Sequence, residues 1–188
     1  GTVWRPGETD VSIRPGWFYH PAEDSKVKSG ADLLQLYLTS VGRNSKLLLN
    51  VPPTRAGLLH ETDVARLPEI KRGMAKLIEG EGQGGDVLKS RKLAWRTAAD
   101  GSIGCEVELP GERRVSLVDL REPIVHGQVA SQYTVEGAPA SGAWQVLSRG
   151  TTIGYRKLDV FTPVSVRRLR ITLRTIGPLA GPVRVQAY

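Results

Sequence analysis

The stretch Lys46-Leu47-Leu48-Leu49-Asn50-Val51-Pro52-Pro53 is a short, continuous apolar run that ends at two prolines. A run of this kind is typical of a strand that is buried on both faces, as in a parallel sheet. Just before it, over residues 31–41, apolar side chains recur at helical spacing, and Gly42 suits the carboxyl end of a helix. The order of elements here is therefore a mostly buried helix followed by a core strand.

A second helix is predicted after this strand, over residues 63–79, where apolar residues recur at intervals of three and four. Thr62 or Asp63 is available as its N-cap, and Pro68 should either kink the helix or mark its true start. The first part of the chain is therefore predicted to be an α/β piece.

Residues 80–85, Gly-Glu-Gly-Gln-Gly-Gly, form the most obvious boundary in the chain. Beyond them the chain contains short alternating runs separated by turn residues, which predict an all-β antiparallel sandwich. The runs cover residues 88–96, 103–109, 115–120, 127–136, 144–147, 152–159, 166–174 and 183–187. The predicted domains are residues 1–80, a linker at 81–85 and a β-sandwich at 86–188.

The composition excludes several classes of protein. The single cysteine, Cys105, cannot form an internal disulfide, and the three histidines are scattered along the chain, so no metal site and no cofactor are predicted. No apolar run approaches the roughly 20 residues of a membrane helix, so no membrane span is predicted.

The net charge of +7 raises the question of a nucleic-acid partner. The densest basic group lies in residues 166–174, which alternate so that Arg168, Arg170 and Arg174 share one face and apolar residues the other. We interpret this group as the solvated face of a half-buried strand. The alternative is a phosphate-binding stripe, which no interleaved aromatic residue supports. No nucleic-acid partner is therefore predicted.

Residues 4–24 combine carboxylates, aromatic residues, arginines and a histidine in a stretch broken by three prolines and two glycines, so they cannot form one regular element. Aromatic side chains beside carboxylates are typical of sugar sites, where rings pack on apolar sugar faces and carboxylates bind hydroxyls or move protons. The alternative, left open at this point, is that the aromatic residues close the end of a core and the charges pair among themselves.

Residues 4–20 (WRPGETDVSIRPGWFYH), 40–44 (SVGRN) and 47–53 (LLLNVPP) resemble, in order and spacing, the second half of the catalytic domain of α-L-fucosidases of glycoside hydrolase family 29. The branch most similar is the one selective for α-1,3- and α-1,4-linked fucose. Residues 118–144 and 150–155 resemble the carboxy-terminal β-sandwich of these enzymes.

The resemblance implies a retaining glycosidase, a hydrolase on a (β/α)8-like barrel with an Asp nucleophile and a Glu acid/base. Glu8 matches the acid/base position of the motif and is our predicted catalytic residue. There are two alternatives: Glu8 is only a surface carboxylate, or Glu23 is the acid/base. Asp10 also matches the motif, and we expect a structural role for it, with Arg14 as its partner.

Trp17, Trp4, His20 and Asn50 are the predicted substrate-binding residues. Trp17 is expected to contact the sugar, with a packing role as the alternative. Asn50, at the end of the buried strand, either faces the pocket or caps the turn before Pro52.

The α/β piece is too short for a closed barrel, which takes about 250 residues. The resemblance also places the nucleophile Asp, and the paired His residues that hold fucose, upstream of the motif, and no residue of this chain matches them. We therefore expect these 188 residues alone not to hydrolyse an aryl α-L-fucoside. The expected partners are a fucosylated oligosaccharide or glycoconjugate and an amino-terminal catalytic half, in the same chain or a second one. The resemblance favours a periplasmic or secreted location over a cytoplasmic one.

The alternative function is that of a non-catalytic, carbohydrate-binding β-sandwich module. Trp144 and Tyr155 are the aromatic residues available for such binding. Because each lies within an alternating run, we favour the interpretation that both are core residues.

Overall fold

The structure is a computed structural model that describes residues 5–79 and 85–188. The described residues fall into two compact units, one of Pro6–Lys76 and another that contains Leu77–Tyr188. Trp4 and residues 81–84 of the predicted linker lie outside the described residues. The predicted domain boundaries therefore stay a prediction.

The first unit alternates strands and helices. Its elements are β1 (Gly7–Ser12), a short 3-10 helix (Pro21–Lys26), α1 (Gly30–Ser40), β2 (Ser45–Asn50) and α2 (Glu61–Glu79). β1 pairs with β2 in parallel, from Gly7 opposite Ser45 to Ser12 opposite Asn50. The parallel strand predicted from the apolar run is confirmed, whereas β1 lies within a stretch whose strand was not predicted.

Within the described residues of this unit, apolar side chains cover one face of its sheet. The covered face belongs to a core of buried and partly buried apolar residues: Ile13, Val27, Leu33, Leu49, Val51, Leu67 and Ile70. On the other face Asp10 is exposed and Leu48 is 46% exposed, so the prediction that β2 is buried on both faces is wrong for this chain. A (β/α)8 barrel likewise has helices on one face of its strands and side chains of the other strands on the inner face. No closed barrel is formed by residues 5–79 and 85–188, so the barrel stays a prediction.

The helix α2 begins two residues earlier than predicted. The helix begins at Glu61, so Thr62 and Asp63 lie inside it, and neither is the N-cap. The Asp63 side chain is fully buried and binds Arg14, and the backbone N–H of Thr62 donates to Nδ1 of His60 at 3.3 Å. Pro68 lies within the helix rather than at its start, where it cannot donate the usual hydrogen bond four residues back.

The second unit contains one antiparallel sheet, with six strands among the described residues. The strands are β3 (Arg96–Thr97), β4 (Ile103–Arg121), β5 (Ala130–Ala138), β6 (Gln145–Gly150), β7 (Lys157–Thr175) and β8 (Arg184–Ala187). Their order is β3-β4-β7-β5-β6, with β8 on β4. The antiparallel part of the prediction is confirmed, but the hydrogen bonds form a single sheet instead of two separate ones.

The alternation predicted for residues 166–174 is confirmed. Leu169, Ile171 and Leu173 are at most 1% exposed and belong to the core of this unit. On the opposite face Arg170 forms two hydrogen bonds with Glu136, at 2.8 and 2.9 Å. Cys105 is also buried in this core, and burial raises the pKa of its thiol to about 12, so the thiol stays protonated and poorly reactive.

Candidate functional site

A buried arginine organises the loop that follows β1. The Arg14 side chain is fully buried, with Nε 2.8 Å from Asp63 in α2 and an amino nitrogen 2.9 Å from Asp24 in the 3-10 helix. Burial lowers the pKa of Arg14, but the hydrogen bonds to Asp63 and Asp24 outweigh it and leave the pKa raised. The prediction that Asp10 pairs with Arg14 is wrong, because a buried guanidinium needs carboxylates in the interior and Asp10 is exposed on β1.

The same arginine fixes an aromatic residue of the loop. The guanidinium carbon of Arg14 lies 4.7 Å from the centre of the Tyr19 ring. The ring of His60 lies 5.6 Å from that of Tyr19, and its Nε2 atom is 3.5 Å from a carboxylate oxygen of Asp24. Tyr19 is therefore held by two residues, one of which is fully buried.

The carboxyl ends of β1 and β2 carry a hollow of about 370 Å³, which we call the aromatic hollow. It is lined by Trp17, Phe18, Tyr19, Asn50, Pro52, Pro53, Thr54 and Arg55. Trp17 is 52% exposed and Phe18 is 77% exposed, so neither ring is used up by packing within this chain. The volume lies in the range of small-molecule sites.

Asn50 joins the end of β2 to the aromatic loop. Its amide nitrogen donates to the Ser12 hydroxyl at 3.1 Å and to the Trp17 carbonyl at 3.0 Å. The amide thus fixes the backbone of Trp17 while the residue also lines the hollow. Asn50 thus faces the hollow, and its side-chain amide binds Ser12 and Trp17 instead of the turn before Pro52, while its role in substrate binding stays a prediction.

A second hollow, of about 480 Å³, adjoins the first, and we call it the cationic hollow. It is lined by Tyr19, His20, Pro21, Thr54, Arg55 and Ala56. Tyr19, Thr54 and Arg55 line both hollows, so the two form a continuous surface. Among the described residues, no carboxylate lines either hollow.

Glu8 lies away from these hollows. It is at the amino end of β1, with Oε2 3.6 Å from Nζ of Lys46 and 53% of its side chain exposed. Ser12, at the carboxyl end of the strand, lies four residue steps further along, which is about 13 Å. The structure therefore does not bring Glu8 together with Trp17 and Asn50, and its acid/base role stays a prediction.

The alternative acid/base, Glu23, lines neither hollow. Its Oε2 atom is buried and makes no hydrogen bond within the part of the chain that the structure describes. His20 lines the cationic hollow with an exposed side chain. Of the predicted substrate-binding residues, Trp17, Asn50 and His20 are therefore close together, whereas Trp4 is not described.

Sequence reasoning did not single out four residues of this region as site residues: Phe18, Tyr19, Arg55 and His60. The prolines after β2 were interpreted as the end of a strand, although the loop that follows them forms one wall of both hollows. His60 carried no motif of its own. Its contact with Asp24 depends on two segments that lie far apart in the sequence.

The aromatic residues of the second unit do not form a comparable platform. Trp144 is half-buried, with the guanidinium carbons of Arg168 and Arg170 at 4.9 and 4.4 Å from its ring centre. Its ring is thus already in contact with cations. Tyr155 is 56% exposed, so the interpretation of this residue as part of the core is wrong.

Within residues 5–79 and 85–188, the His, Cys, Asp and Glu side chains form no group of three or more that could hold a metal ion. In the same ranges, no helix is both long and apolar enough to cross a membrane.

Comparison with known proteins supports the resemblance. Residues 3–77 match the family model described as α-L-fucosidase. The chain is 33% identical to a rice (Oryza sativa subsp. japonica) protein provisionally named α-L-fucosidase 1, over 97% of this chain and 39% of that protein. It is also 33% identical to α-L-fucosidase 1 of Arabidopsis thaliana, over 87% of this chain and 36% of that protein. The chain thus spans well under half the length of these relatives.

Solved structures show the same relationship in three dimensions. All of this chain superposes on 45% of the crystal structure of SpGH29, with a TM-score of 0.85 and 30% identity. A family 29 fucosidase of Ruminococcus gnavus, solved in complex with fucose, matches 98% of this chain with a TM-score of 0.79 and 26% identity. The chain corresponds to a carboxy-terminal portion of these proteins.

Proposed function

Because the chain is related in sequence and fold to a carboxy-terminal portion of the α-L-fucosidases of glycoside hydrolase family 29, we propose that it is the glycan-contacting part of a retaining α-L-fucosidase. The substrate is a glycan that carries terminal α-1,3- or α-1,4-linked fucose. The observation that carries this proposal is the pair of exposed rings, Trp17 and Phe18, beside Asn50 at the carboxyl ends of two parallel strands. Barrel enzymes bind their substrates at this end of the strands.

The groups in the aromatic hollow suit a sugar. The open ring of Trp17 packs on the apolar face of a pyranose. The two amide hydrogens of Asn50 are used by Ser12 and Trp17, so its Oδ1 atom is the group that accepts a hydrogen bond from a sugar hydroxyl. The pair of Asn50 and Trp17 thereby orients the sugar in the hollow.

Hydrolysis with retention needs two carboxyl groups about 5 Å apart, one as nucleophile and one as acid/base. In the part of the chain that the structure describes, neither hollow is lined by a carboxylate. In this proposal the nucleophile comes from protein outside this chain. The acid/base role of Glu8 is a separate part of the proposal that rests on the motif alone, and the position of Glu8 at the amino end of β1 counts against it.

The binding site is tested by titrating the chain with a neutral fucosylated trisaccharide while the indole N–H signals are followed by NMR. We expect saturable shifts, and Trp17→Ala should weaken binding about tenfold through loss of the ring contact. Tyr155→Ala is the matched control, because it removes an aromatic ring of similar exposure that lines neither hollow, and it should leave the affinity unchanged. If Trp17→Ala binds the trisaccharide as tightly as the parent chain does, the sugar binds somewhere other than this hollow.

A further inference from the structure

The cationic hollow is lined by basic side chains, and a neutral sugar such as fucose needs no basic side chain in order to bind. Arg55 and His20 are the basic side chains of its lining, and no Asp or Glu of residues 5–79 and 85–188 lines either hollow. A site that only held hydroxyl groups would be served by side chains that both donate and accept, such as amides and carboxylates. Arg55 gives these linings a fixed positive charge, and the carboxylate of Asp24, in the 3-10 helix that begins at Pro21, is bound by Arg14 at 2.9 Å.

Unlike Arg14 and Arg66 of the same unit, Arg55 has no protein partner among the described residues. Arg14 binds two carboxylates, and Arg66 lies 2.9 Å from Glu69. Among the described residues, Arg55 makes no hydrogen bond or ion pair, and its side chain is exposed at the junction of the two hollows. Its guanidinium group is therefore available to a ligand.

The aromatic ring next to Arg55 is that of Tyr19, and other side chains fix its position. Tyr19 lines both hollows beside it and is held by the buried Arg14 and by His60. The loop that carries Arg55 is closed by a backbone hydrogen bond from Thr54 to Leu58 at 2.8 Å and one from Gly57 to Thr54 at 2.9 Å. Gly57 has a φ of 77°, which a residue with a side chain rarely adopts, so this turn favours glycine. A ligand in the cationic hollow thus meets preformed walls.

A free guanidinium group binds planar or tetrahedral oxyanions through paired hydrogen bonds. We infer that the cationic hollow binds an anionic substituent, a carboxylate or a sulfate ester, on the glycan whose sugar occupies the aromatic hollow. This inference rests on the proposed function and names its substrate class, which is an acidic fucosylated glycan. Arg55 is then a specificity-determining residue.

The test compares three ligands on the full chain by calorimetry: a neutral fucosylated trisaccharide, its sialylated form and its sulfated form. We expect at least one acidic form to bind about tenfold tighter than the neutral one, as for a hydrogen bond between charged groups. The two acidic forms distinguish the carboxylate from the sulfate. Added salt should reduce the preference and leave the neutral ligand unaffected.

Arg55→Gln should abolish the preference, so that the acidic and the neutral ligand bind this variant equally. Because Arg55 also lines the aromatic hollow, the ratio of the two affinities, and not the neutral affinity alone, is the readout. Arg72→Gln is the matched control, since it removes the same charge from an exposed arginine of α2 that lines neither hollow, and it should keep the preference. Circular dichroism of both variants checks that they are folded.

The outcomes separate this inference from the proposed function. Equal affinity for neutral and acidic ligands would overturn the anionic subsite and leave the fucosidase proposal in place. A preference that survives in Arg55→Gln would overturn the role of Arg55. Failure of the neutral ligand to bind would instead contradict the proposed sugar site itself, and with it this inference.

Discussion

At the scale of single residues, Arg14 is the side chain on which the loop of the first unit most depends. Its side chain and that of Asp63 are both fully buried, and the two are joined at 2.8 Å. Breaking a buried pair leaves an uncompensated charge in the interior, whereas removing both partners costs much less. We expect Arg14→Met to destabilise the chain by about 3–5 kcal/mol in urea denaturation, and Arg14→Met with Asp63→Leu to recover much of that loss.

The control for this prediction is Arg66→Met. Arg66 and Glu69 form an ion pair of nearly the same length, 2.9 Å, but each is about one third exposed, so water screens it. The expected cost is below about 1 kcal/mol. Equal costs for the Arg14 and Arg66 variants would show that burial does not set the strength of the Arg14 cluster.

The residues of the candidate site were predictable where a local pattern marked them. Trp17 and Asn50 stood out because one lies in an aromatic stretch and the other ends an apolar run. The partners of Arg14 were not predictable, since Asp24 and Asp63 are ten and 49 residues away and only packing brings them together. Sequence proximity pointed instead to Asp10, which the fold leaves exposed.

At the scale of elements, α1 begins with a complete capping box. The Ser29 hydroxyl accepts a hydrogen bond from the Asp32 backbone at 3.1 Å, and the Asp32 carboxylate accepts from the Ser29 backbone and hydroxyl. The Ser29 hydroxyl and backbone lower the pKa of Asp32. The stabilisation that Asp32 provides is therefore present above its unfolded pKa and is lost as the pH falls through its folded pKa.

Ser29→Ala should raise the pKa of Asp32 towards its ordinary value, because the donors that favour the carboxylate are lost or loosened. Carboxyl NMR titration measures this change. Loss of the N-cap should also cost about 1 kcal/mol at neutral pH. Thr39→Ala, near the other end of the same helix, removes a hydroxyl that bonds only to carbonyls of its own helix, and it should leave the Asp32 pKa unchanged. An unchanged pKa in Ser29→Ala would contradict the capping box.

The long strand β4 was not predictable from local sequence patterns alone. Residues 103–109 and 115–120 were predicted as separate strands because Pro110 and Gly111 indicate a turn. In the structure they join in β4, and the pairing with β7 shifts register between Glu108 and Arg113. A bulge removes the need for a donor at Pro110, so the proline is accommodated within the strand. The alternation was readable from sequence, but whether a proline ends a strand or sits in a bulge depends on the neighbouring strand.

At the scale of the whole molecule, the proposed function assigns the catalytic nucleophile to protein outside this chain. The hollows offer aromatic rings, an amide and cations, and they lack the carboxylates that glycoside hydrolysis requires. We therefore expect the chain alone not to hydrolyse 4-nitrophenyl α-L-fucoside. We expect a chimera to hydrolyse it, in which this chain replaces the corresponding carboxy-terminal portion of SpGH29.

The chimera also decides the role of Glu8. If this carboxylate is the acid/base, Glu8→Gln should lower kcat by about 10²–10⁴-fold, while Asp10→Asn, a matched change two positions along the same exposed face, should have a much smaller effect. If kcat in Glu8→Gln stays within twofold of the parent, Glu8 serves only in its surface pair with Lys46, and both catalytic carboxylates come from the other part of the chimera. Steady-state kinetics on the aryl fucoside distinguishes the two results. Activity of the chain alone would instead show that a carboxylate of these 188 residues acts as the nucleophile.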